Sequence, residues 1–308
     1  MNLFTSEFGR RWLLPEGARQ WLRRRTIRRR FQTRVSRDDR RALALNAALR
    51  GRHAGRRCFI LGNGPSLAQV DLAALGADIS IGMNSIYRHP DVAAWSPTYY
   101  CRAEPGAAYD TPEKLQSIRT LTEGLDSDGY FFPMDARSAI EQHNLLPPAR
   151  TYYFKSIVDL TEWPVESHPL DLADGIPYVG NTAQFAILLA MYLGANPIIL
   201  LGMDHDFLAH RSINRHFYSA HAEDAGGSDD LRIYPYKKMM ADCMREWERY
   251  EVIHAMARRH GATILNATRG SFLDVFPFAE LGDLIEAPDK ATALVPSKSI
   301  HSMALIER

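Results

Sequence analysis

The sequence predicts an α/β protein with a doubly wound, mostly parallel sheet, and three observations carry this prediction. Short, wholly apolar runs recur from residue 57 onward, they alternate with helical stretches, and the clearest of them end in glycine. Strands that are apolar on both faces belong to a sheet covered on both sides, which is the parallel case. Strands alternating with helices in this way are typical of a Rossmann-like fold. The predicted strands are 58–61, 79–83, 98–101, 130–132, 152–154, 197–202 and 263–265.

Two helices can be placed from the same pattern. An apolar run over 183–193 follows Asn181 and stops at Gly194, and these residue types are favoured at the two ends of a helix. Because this run is apolar on every side, we expect a buried helix. A longer amphipathic helix is predicted over 236–260. The polar segment 205–235 predicts a lid over the site.

Charge divides the chain into parts. The 308 residues sum to a net charge of +1, yet residues 1–57 contain seventeen arginines and no lysine and sum to +13. The remaining 251 residues therefore carry −12. We predict a basic amphipathic helical arm over 1–52, an α/β domain that holds the candidate site over 53–290 and a C-terminal tail over 291–308.

The arm places aromatic residues beside clusters of arginine. Trp12 and Trp21 stand near the arginine triplets 23–25 and 28–30. A helix of this composition can lie on an anionic membrane surface, bind nucleic acid, or dock on the acidic body. We predict contact with an anionic membrane through residues 1–50, and no nucleic-acid partner.

The cysteines and the apolar runs bear on the compartment. The three cysteines are far apart, which excludes a disulfide framework and a zinc ribbon. No stretch of about 18 apolar residues that would span a membrane is present, and the first residues lack the pattern of a secretory signal. We expect a cytoplasmic protein, peripheral to the membrane where the arm binds lipid. A homo-oligomer is left open.

The segment Gly62-Asn63-Gly64-Pro65-Ser66 follows the first strand, where ligands bind in such sheets. The two glycines let the backbone approach a ligand, and Ser66 can cap the next helix, whose free N–H groups suit a phosphate. The pattern matches neither the dinucleotide fingerprint nor the phosphate loop of nucleoside triphosphatases. A purely structural turn is the alternative.

Polar residues follow other strands as well. Asn84 ends the second strand and offers both a donor and an acceptor for a base or ribose. Asn181 and Thr182 open the buried helix, where capping and ligand binding use the same exposed donors. We predict that these three residues bind the nucleotide or the donor substrate that contains it, although each residue type is also common in a plain turn or cap.

Acidic and imidazole groups gather after the strand at 197–202. Asp204 and Asp206 are followed by His216, Tyr218 and His221. Such groups can serve as a base, a metal ligand or a phosphate partner. Because no tight zinc spacing is present, we expect no permanent metal.

Taken together, these segments resemble the bacterial sialyltransferases of glycosyltransferase family 42 and the related MptE-like domain proteins. The resemblance rests on Gly62–Leu67, Met83–Tyr87, Asn181–Phe207 and His216–His221 and extends over roughly 55–285. It implies inverting transfer of a sialic-acid-like sugar from a CMP-activated donor to a cell-surface glycan, with no obligatory cofactor. It also implies a bacterial cytoplasm, at the inner face of the plasma membrane if the arm binds lipid.

The resemblance also assigns roles. Asn63, Asn84 and Thr182 would lie against the nucleotide. A histidine of the lid, His216 in preference to His221, would be the general base.

Asp206 departs from the family pattern, since a tyrosine stands there in the family. Tyr218, other tyrosines of the lid or its arginines would then have to stabilise the leaving phosphate. Asp204, beside this position, is a further catalytic candidate.

The other branch of the resemblance implies a different reaction. MptE-like enzymes transfer pyrophosphate from ATP to a pterin-like substrate, and this chemistry needs Mg²⁺. Asp204 and Asp206 are the candidate ligands, since hard oxygen donors suit that ion. A non-catalytic nucleotide-sugar-binding protein is the third possibility.

Overall fold

The protein is described from a computed structural model. The described residues are 15, 17–18, 21–22, 25–27, 29, 35–104, 109–163, 169–209, 216–218 and 235–286. Most of the predicted lid and all of the predicted C-terminal tail lie outside these residues.

A seven-stranded sheet in the order β5-β4-β3-β2-β1-β8-β9 forms the centre of the protein. Every neighbouring pair in it is parallel. The chain winds outward from β1 in one direction and then returns to add β8 and β9 on the other side, which confirms the predicted doubly wound, Rossmann-like fold. The strands are β1 (Cys58–Leu61), β2 (Ile79–Met83), β3 (Tyr99–Cys101), β4 (Gly129–Pro133), β5 (Thr151–Phe154), β8 (Ile198–Leu201) and β9 (Ile264–Asn266).

A second, two-stranded parallel sheet consists of β6 (Ser156–Asp159) and β7 (Ile176–Tyr178). The apolar pattern of the sequence does not predict this second sheet. Each strand is short and contains only a few apolar residues, so the local pattern is too weak to indicate a strand. This sheet follows β5 directly and precedes the buried helix, so it stands beside the carboxyl ends of the main strands.

Helices lie on both faces of the sheet. The two predicted helices are confirmed within one residue at each end, since the buried helix extends over Thr182–Tyr192 and the amphipathic one over Tyr236–Arg259. As predicted, Asn181 caps that helix, with its Oδ1 accepting from the Gln184 N–H at 2.9 Å, and Gly194 adopts a positive φ of 79° after it. The helices are α1 (Arg37–Ala44), α2 (Pro112–Gly124), α3 (Arg137–Gln142), α4 (Thr182–Tyr192), α5 (Tyr236–Arg259) and α6 (Leu281–Glu286).

Aromatic side chains fill the core on both faces of the sheet. On the face covered by α4, Phe185 stacks on Phe154 with ring centroids 3.8 Å apart. The other face carries Tyr100, whose ring contacts the rings of Tyr130 and Phe132. Successive residues of a strand point to opposite faces, so residues two apart share these layers. The strand ends are thereby held rigidly, and the loops that follow them are placed with little freedom.

Part of the predicted arm packs on the body. Leu43 of α1 and Leu49 of the following 3-10 helix are buried. The Asn46 side chain donates to the carbonyl oxygens of Tyr153 at 2.7 Å and Leu172 at 3.1 Å. In the part of the chain that the structure describes, no helix is long and apolar enough to cross a membrane.

Candidate active site at the carboxyl ends of the strands

The loops after β1 and β8 touch where the chain reverses direction across the sheet. The Gly64 N–H donates to the Gly202 carbonyl at 2.9 Å. A Cβ added to Gly62 would lie 2.3 Å from the Gly202 oxygen, and one added to Gly64 would lie 1.8 Å from Oδ2 of Asp204. Glycine is therefore needed at 62 and 64 because of close contact with the β8 loop.

Asp204 binds the β1 loop through Ser66. Its Oδ1 accepts from the Ser66 N–H at 3.1 Å and its Oδ2 accepts from the Ser66 hydroxyl at 2.7 Å. The prediction that Ser66 caps a helix is wrong. The helix that follows is a short 3-10 helix, Pro65–Gln69, whose N-cap is Gly64, with no side-chain cap. The donors expected to meet a phosphate are occupied by a carboxylate of the protein itself.

Burial raises the pKa of Asp204, the neighbouring Asp206 adds to the rise, and the hydrogen bonds from Ser66 oppose it. Asp206 is itself buried, with 8% of its surface exposed. Among the described residues, no group of three or more His, Cys, Asp or Glu side chains is placed to hold a metal ion. Each oxygen of Asp204 accepts one hydrogen bond from Ser66, so a Mg²⁺ ion at Asp204 and Asp206 would have to bind Asp204 through its remaining lone pairs.

Asn63 and Asn84 end neighbouring strands and leave acceptors unused. The Asn63 side chain donates to the Met83 carbonyl at 3.0 Å. Asn84 adopts a positive φ of 47°, which asparagine tolerates better than most residues. The amide oxygens of both side chains are buried, and neither has a hydrogen-bond partner among the residues that the structure describes. A buried acceptor without a donor costs about 1–3 kcal/mol, so a bound group with N–H or O–H donors fits here.

The described part of the lid lies against these residues. The Phe217 N–H donates to the Asn63 carbonyl at 3.0 Å. The Tyr218 ring faces the Arg88 guanidinium at 5.3 Å and stacks on the His216 ring, with centroids 5.0 Å apart. His216 is exposed. The structure therefore brings His216 and Tyr218 to the strand ends.

His221, the other predicted base, lies outside the described residues.

At the start of α4, the predicted donor-binding residues are engaged within the protein. Thr182 Oγ1 accepts from the Ala103 N–H at 3.2 Å, which ties α4 to the end of β3. Asn181 Oδ1, besides capping α4, accepts from the Tyr250 hydroxyl at 3.3 Å. Burial raises the pKa of Glu246, and hydrogen bonding with the Asn181 side chain opposes the rise.

His205 is a buried histidine that the sequence analysis did not select as a site residue. Its backbone has a positive φ of 51°, and its Nε2 lies 3.0 Å from the Tyr250 hydroxyl. Burial lowers the pKa of His205 to about 4, so the ring is neutral near pH 7. Through Tyr250 it connects the β8 loop to the cap of α4. Its place directly after Asp204 was the signal that could have drawn attention to it.

Arg102 and a small cavity mark the end of β3, and the sequence analysis missed both. Arg102 is 3% exposed, and an arginine placed directly after an apolar strand was the available signal. The cavity, of about 160 Å³, is lined by Ala103, the next residue, and Arg102 is not part of its lining. An ion pair between Lys155 Nζ and Asp135 Oδ1, at 2.6 Å, stands in its wall. The other lining residues are Pro133, Met134, Phe154, Ser156, Tyr178 and Val179.

Comparison with known proteins finds similarity among solved structures only. No protein-family model and no curated protein matches the chain. A Maf glycosyltransferase from Magnetospirillum magneticum AMB-1 is 15% identical with a TM-score of 0.40, over 82% of this chain and 41% of that one. The sialyltransferase CST-II, in complex with a trisaccharide acceptor and CMP, is 13% identical with a TM-score of 0.40, over 73% of this chain and 86% of that one. The chain thus spans less than half the length of the Maf glycosyltransferase.

Proposed function

We propose that this protein is a glycosyltransferase that binds a CMP-activated, sialic-acid-like sugar over Asn63 and Asn84. The observation that carries the proposal is the pair of buried amide oxygens at the ends of β1 and β2, which have no hydrogen-bond partner among the described residues and lie beneath the His216–Tyr218 segment. A cytosine amino group and the ribose hydroxyls are donors that would satisfy these oxygens. The resemblance of the surrounding segments to family 42 sialyltransferases supports the same assignment.

In the proposed reaction, His216 removes the proton from a hydroxyl of a glycan acceptor. The acceptor oxygen forms a bond to the anomeric carbon from the face opposite the phosphate. The bond between that carbon and the phosphate oxygen breaks, and CMP leaves with the electron pair, so the configuration inverts. Tyr218 stacks on His216 and faces Arg88 at 5.3 Å, and these two side chains would donate to the charge that develops on the phosphate. No step requires a metal ion.

A thermal-shift screen of the whole chain with CMP, CDP, UDP and ATP, each with and without Mg²⁺, tests the proposal. A ligand that binds only the folded state raises the melting temperature by mass action. We expect CMP to stabilise the protein without Mg²⁺. Stabilisation by ATP that depends on Mg²⁺ would instead favour the pyrophosphokinase reaction on a pterin-like substrate, and stabilisation by none of the four would contradict both.

Asn63→Ala is expected to raise the dissociation constant for CMP about tenfold while the protein stays folded. The substitution removes one ligand acceptor, and a hydrogen bond is worth about 0.5–1.5 kcal/mol. Isothermal titration calorimetry measures the loss. Asn144→Gly is the control, because Asn144 is exposed, lies after α3 and has a positive φ that glycine tolerates. Equal affinity in the Asn63 variant and the wild type would show that the nucleotide lies elsewhere.

We also propose that the arm holds the protein at the inner face of a bacterial plasma membrane. Trp21 and Leu22 are 55% and 40% exposed, and the Arg25 guanidinium lies 5.1 Å from the Trp21 ring. Apolar side chains beside arginines suit an anionic bilayer surface. Replacing both residues with alanine should reduce co-sedimentation with anionic vesicles at least tenfold. Met240 and Met244, exposed residues of α5 outside the arm, are replaced together as the control. Unchanged sedimentation of the arm variant would refute the idea.

A further inference from the structure

The end of β3 holds a buried positive charge. Arg102 Nη1 donates to the Ser117 hydroxyl on α2 at 3.0 Å. Its Nε is also buried but has no hydrogen-bond partner within the described ranges. Native proteins rarely leave a charged donor unpaired in the interior, because its lost hydration is not replaced. Arg102 therefore calls for an acceptor that the described residues do not supply.

The charges around Arg102 leave a positive excess. Glu104 Oε1 is 4.0 Å from Arg102 Nε, which is too far for a hydrogen bond. The same carboxylate forms an ion pair with Lys114. One carboxylate is thus shared by two cations. An additional anion near Arg102 would restore the balance of charge and supply the missing acceptor.

The hydroxyl groups near Arg102 join it to the proposed nucleotide site. The Tyr100 hydroxyl donates to the Asn84 carbonyl at 2.7 Å. The Tyr87 hydroxyl is buried without a hydrogen-bond partner among the described residues. Tyr87 and Tyr100 are both within electrostatic range of the Arg102 guanidinium. Because β3 lies next to β2, a ligand that covers Asn63 and Asn84 needs to extend by only one strand to reach Arg102.

We propose that Arg102, together with the Tyr87 hydroxyl, binds an anionic group of the substrate. A guanidinium suits a carboxylate or a phosphate, because both present oxygens that match its N–H donors. This assignment rests on the proposed function, in which the anion is either the carboxylate of an acidic sugar or the phosphate of CMP. It makes Arg102 a determinant of specificity for an acidic donor.

Four probes distinguish the two sources of the anion: cytidine, CMP, CMP-N-acetylneuraminic acid and inorganic phosphate. Each is titrated against the whole chain and against Arg102→Met, with the melting temperature as the readout. If Arg102 binds the sugar carboxylate, the variant should bind CMP-N-acetylneuraminic acid at least tenfold more weakly and CMP as the wild type does. If it binds the phosphate, CMP should weaken at least tenfold and cytidine should not change. Either result supports the site.

Three further variants serve as controls. Arg150→Met removes an arginine from an ion pair with the exposed Asp126 and should leave the binding of all four probes unchanged. Lys155→Met removes the cation of the cavity wall. If this variant binds the anionic probes more weakly while Arg102→Met binds them as the wild type does, the proposal is overturned. Arg102→Lys keeps the charge without the planar donor set, so it should retain part of the affinity. It also provides a folded comparison if Arg102→Met is unstable.

The phosphate titration distinguishes failure of the Arg102 site from failure of the proposed function. Should no cytidine compound bind the wild type, the nucleotide proposal is wrong, but the phosphate titration still tests Arg102. Stabilisation by phosphate that is lost in Arg102→Met and kept in Arg150→Met supports an anion site of another function. Stabilisation that does not depend on Arg102, or none at all, overturns the site.

Discussion

Replacing His216 with alanine is expected to lower the turnover number for sugar transfer by roughly 10²–10⁴-fold, the usual contribution of a general base. His216 is exposed and stacks on Tyr218 over the loop after β1, so an acceptor hydroxyl can reach it from solvent. Proton removal is an interaction made mainly in the transition state. The loss should therefore appear in kcat, with little change in the KM for the donor. Release of CMP from CMP-N-acetylneuraminic acid, with a panel of glycan acceptors, measures both constants.

The comparison variants decide between a base and a residue that only orders the lid. If His216 only orders the lid, its replacement should weaken donor binding and lower turnover together. Tyr218→Phe keeps the ring that stacks on His216 and removes only the hydroxyl. His260→Ala, an exposed histidine at the end of α5, should leave both constants unchanged. A loss confined to His221→Ala would assign the base to that residue instead. Full activity in both histidine variants would rule out histidine base catalysis.

The sequence predicts the central elements closely because their patterns are local. β1 is predicted and observed over the same residues, 58–61, because an unbroken apolar run ended by glycine has few other interpretations. The cap of α4 is equally local, since Asn181 meets the Gln184 N–H three positions on. α2 was missed even though Thr111 caps it and Pro112 opens it, because its apolar stripe consists of only Leu115, Ile118 and Leu121.

The partners of site residues could not be predicted in the same way. Ser66 binds Asp204, which is 138 positions away, and only the return of the chain to β8 brings the two together. From the sequence, Ser66 therefore looked like a helix cap and Asp204 like a free carboxylate. Arg102 was overlooked because it is a candidate site residue only by virtue of its burial. Neighbouring residues in the sequence do not reveal whether an arginine after a strand is buried. Long-range contacts and burial are properties of the assembled sheet.

Gly64→Ala is expected to lower the free energy of unfolding by about 2–4 kcal/mol. The backbone of Gly64 has an ordinary φ of −66°, so alanine is not excluded by conformation. The cause is contact, because the added Cβ would lie 1.8 Å from Asp204 Oδ2 and 2.8 Å from the Gly202 oxygen. The Asp204 carboxylate would have to move and release Ser66, which adds the loss of charge-assisted hydrogen bonds to the cost of overpacking. Urea unfolding, followed by circular dichroism, measures the change.

Gly282→Ala is the matched control, since a Cβ there meets no atom within 4 Å, and its stability should stay within about 0.5 kcal/mol of the wild type. Combining Gly64→Ala with Asp204→Ala tests the cause. Removing the carboxylate removes the two closest contacts of the methyl group and leaves the one with the Gly202 oxygen, so the double variant should be more stable than the sum of the single effects predicts. Strict additivity would mean that the two side chains do not interact. The contact between the β1 and β8 loops would then not be what requires glycine at position 64.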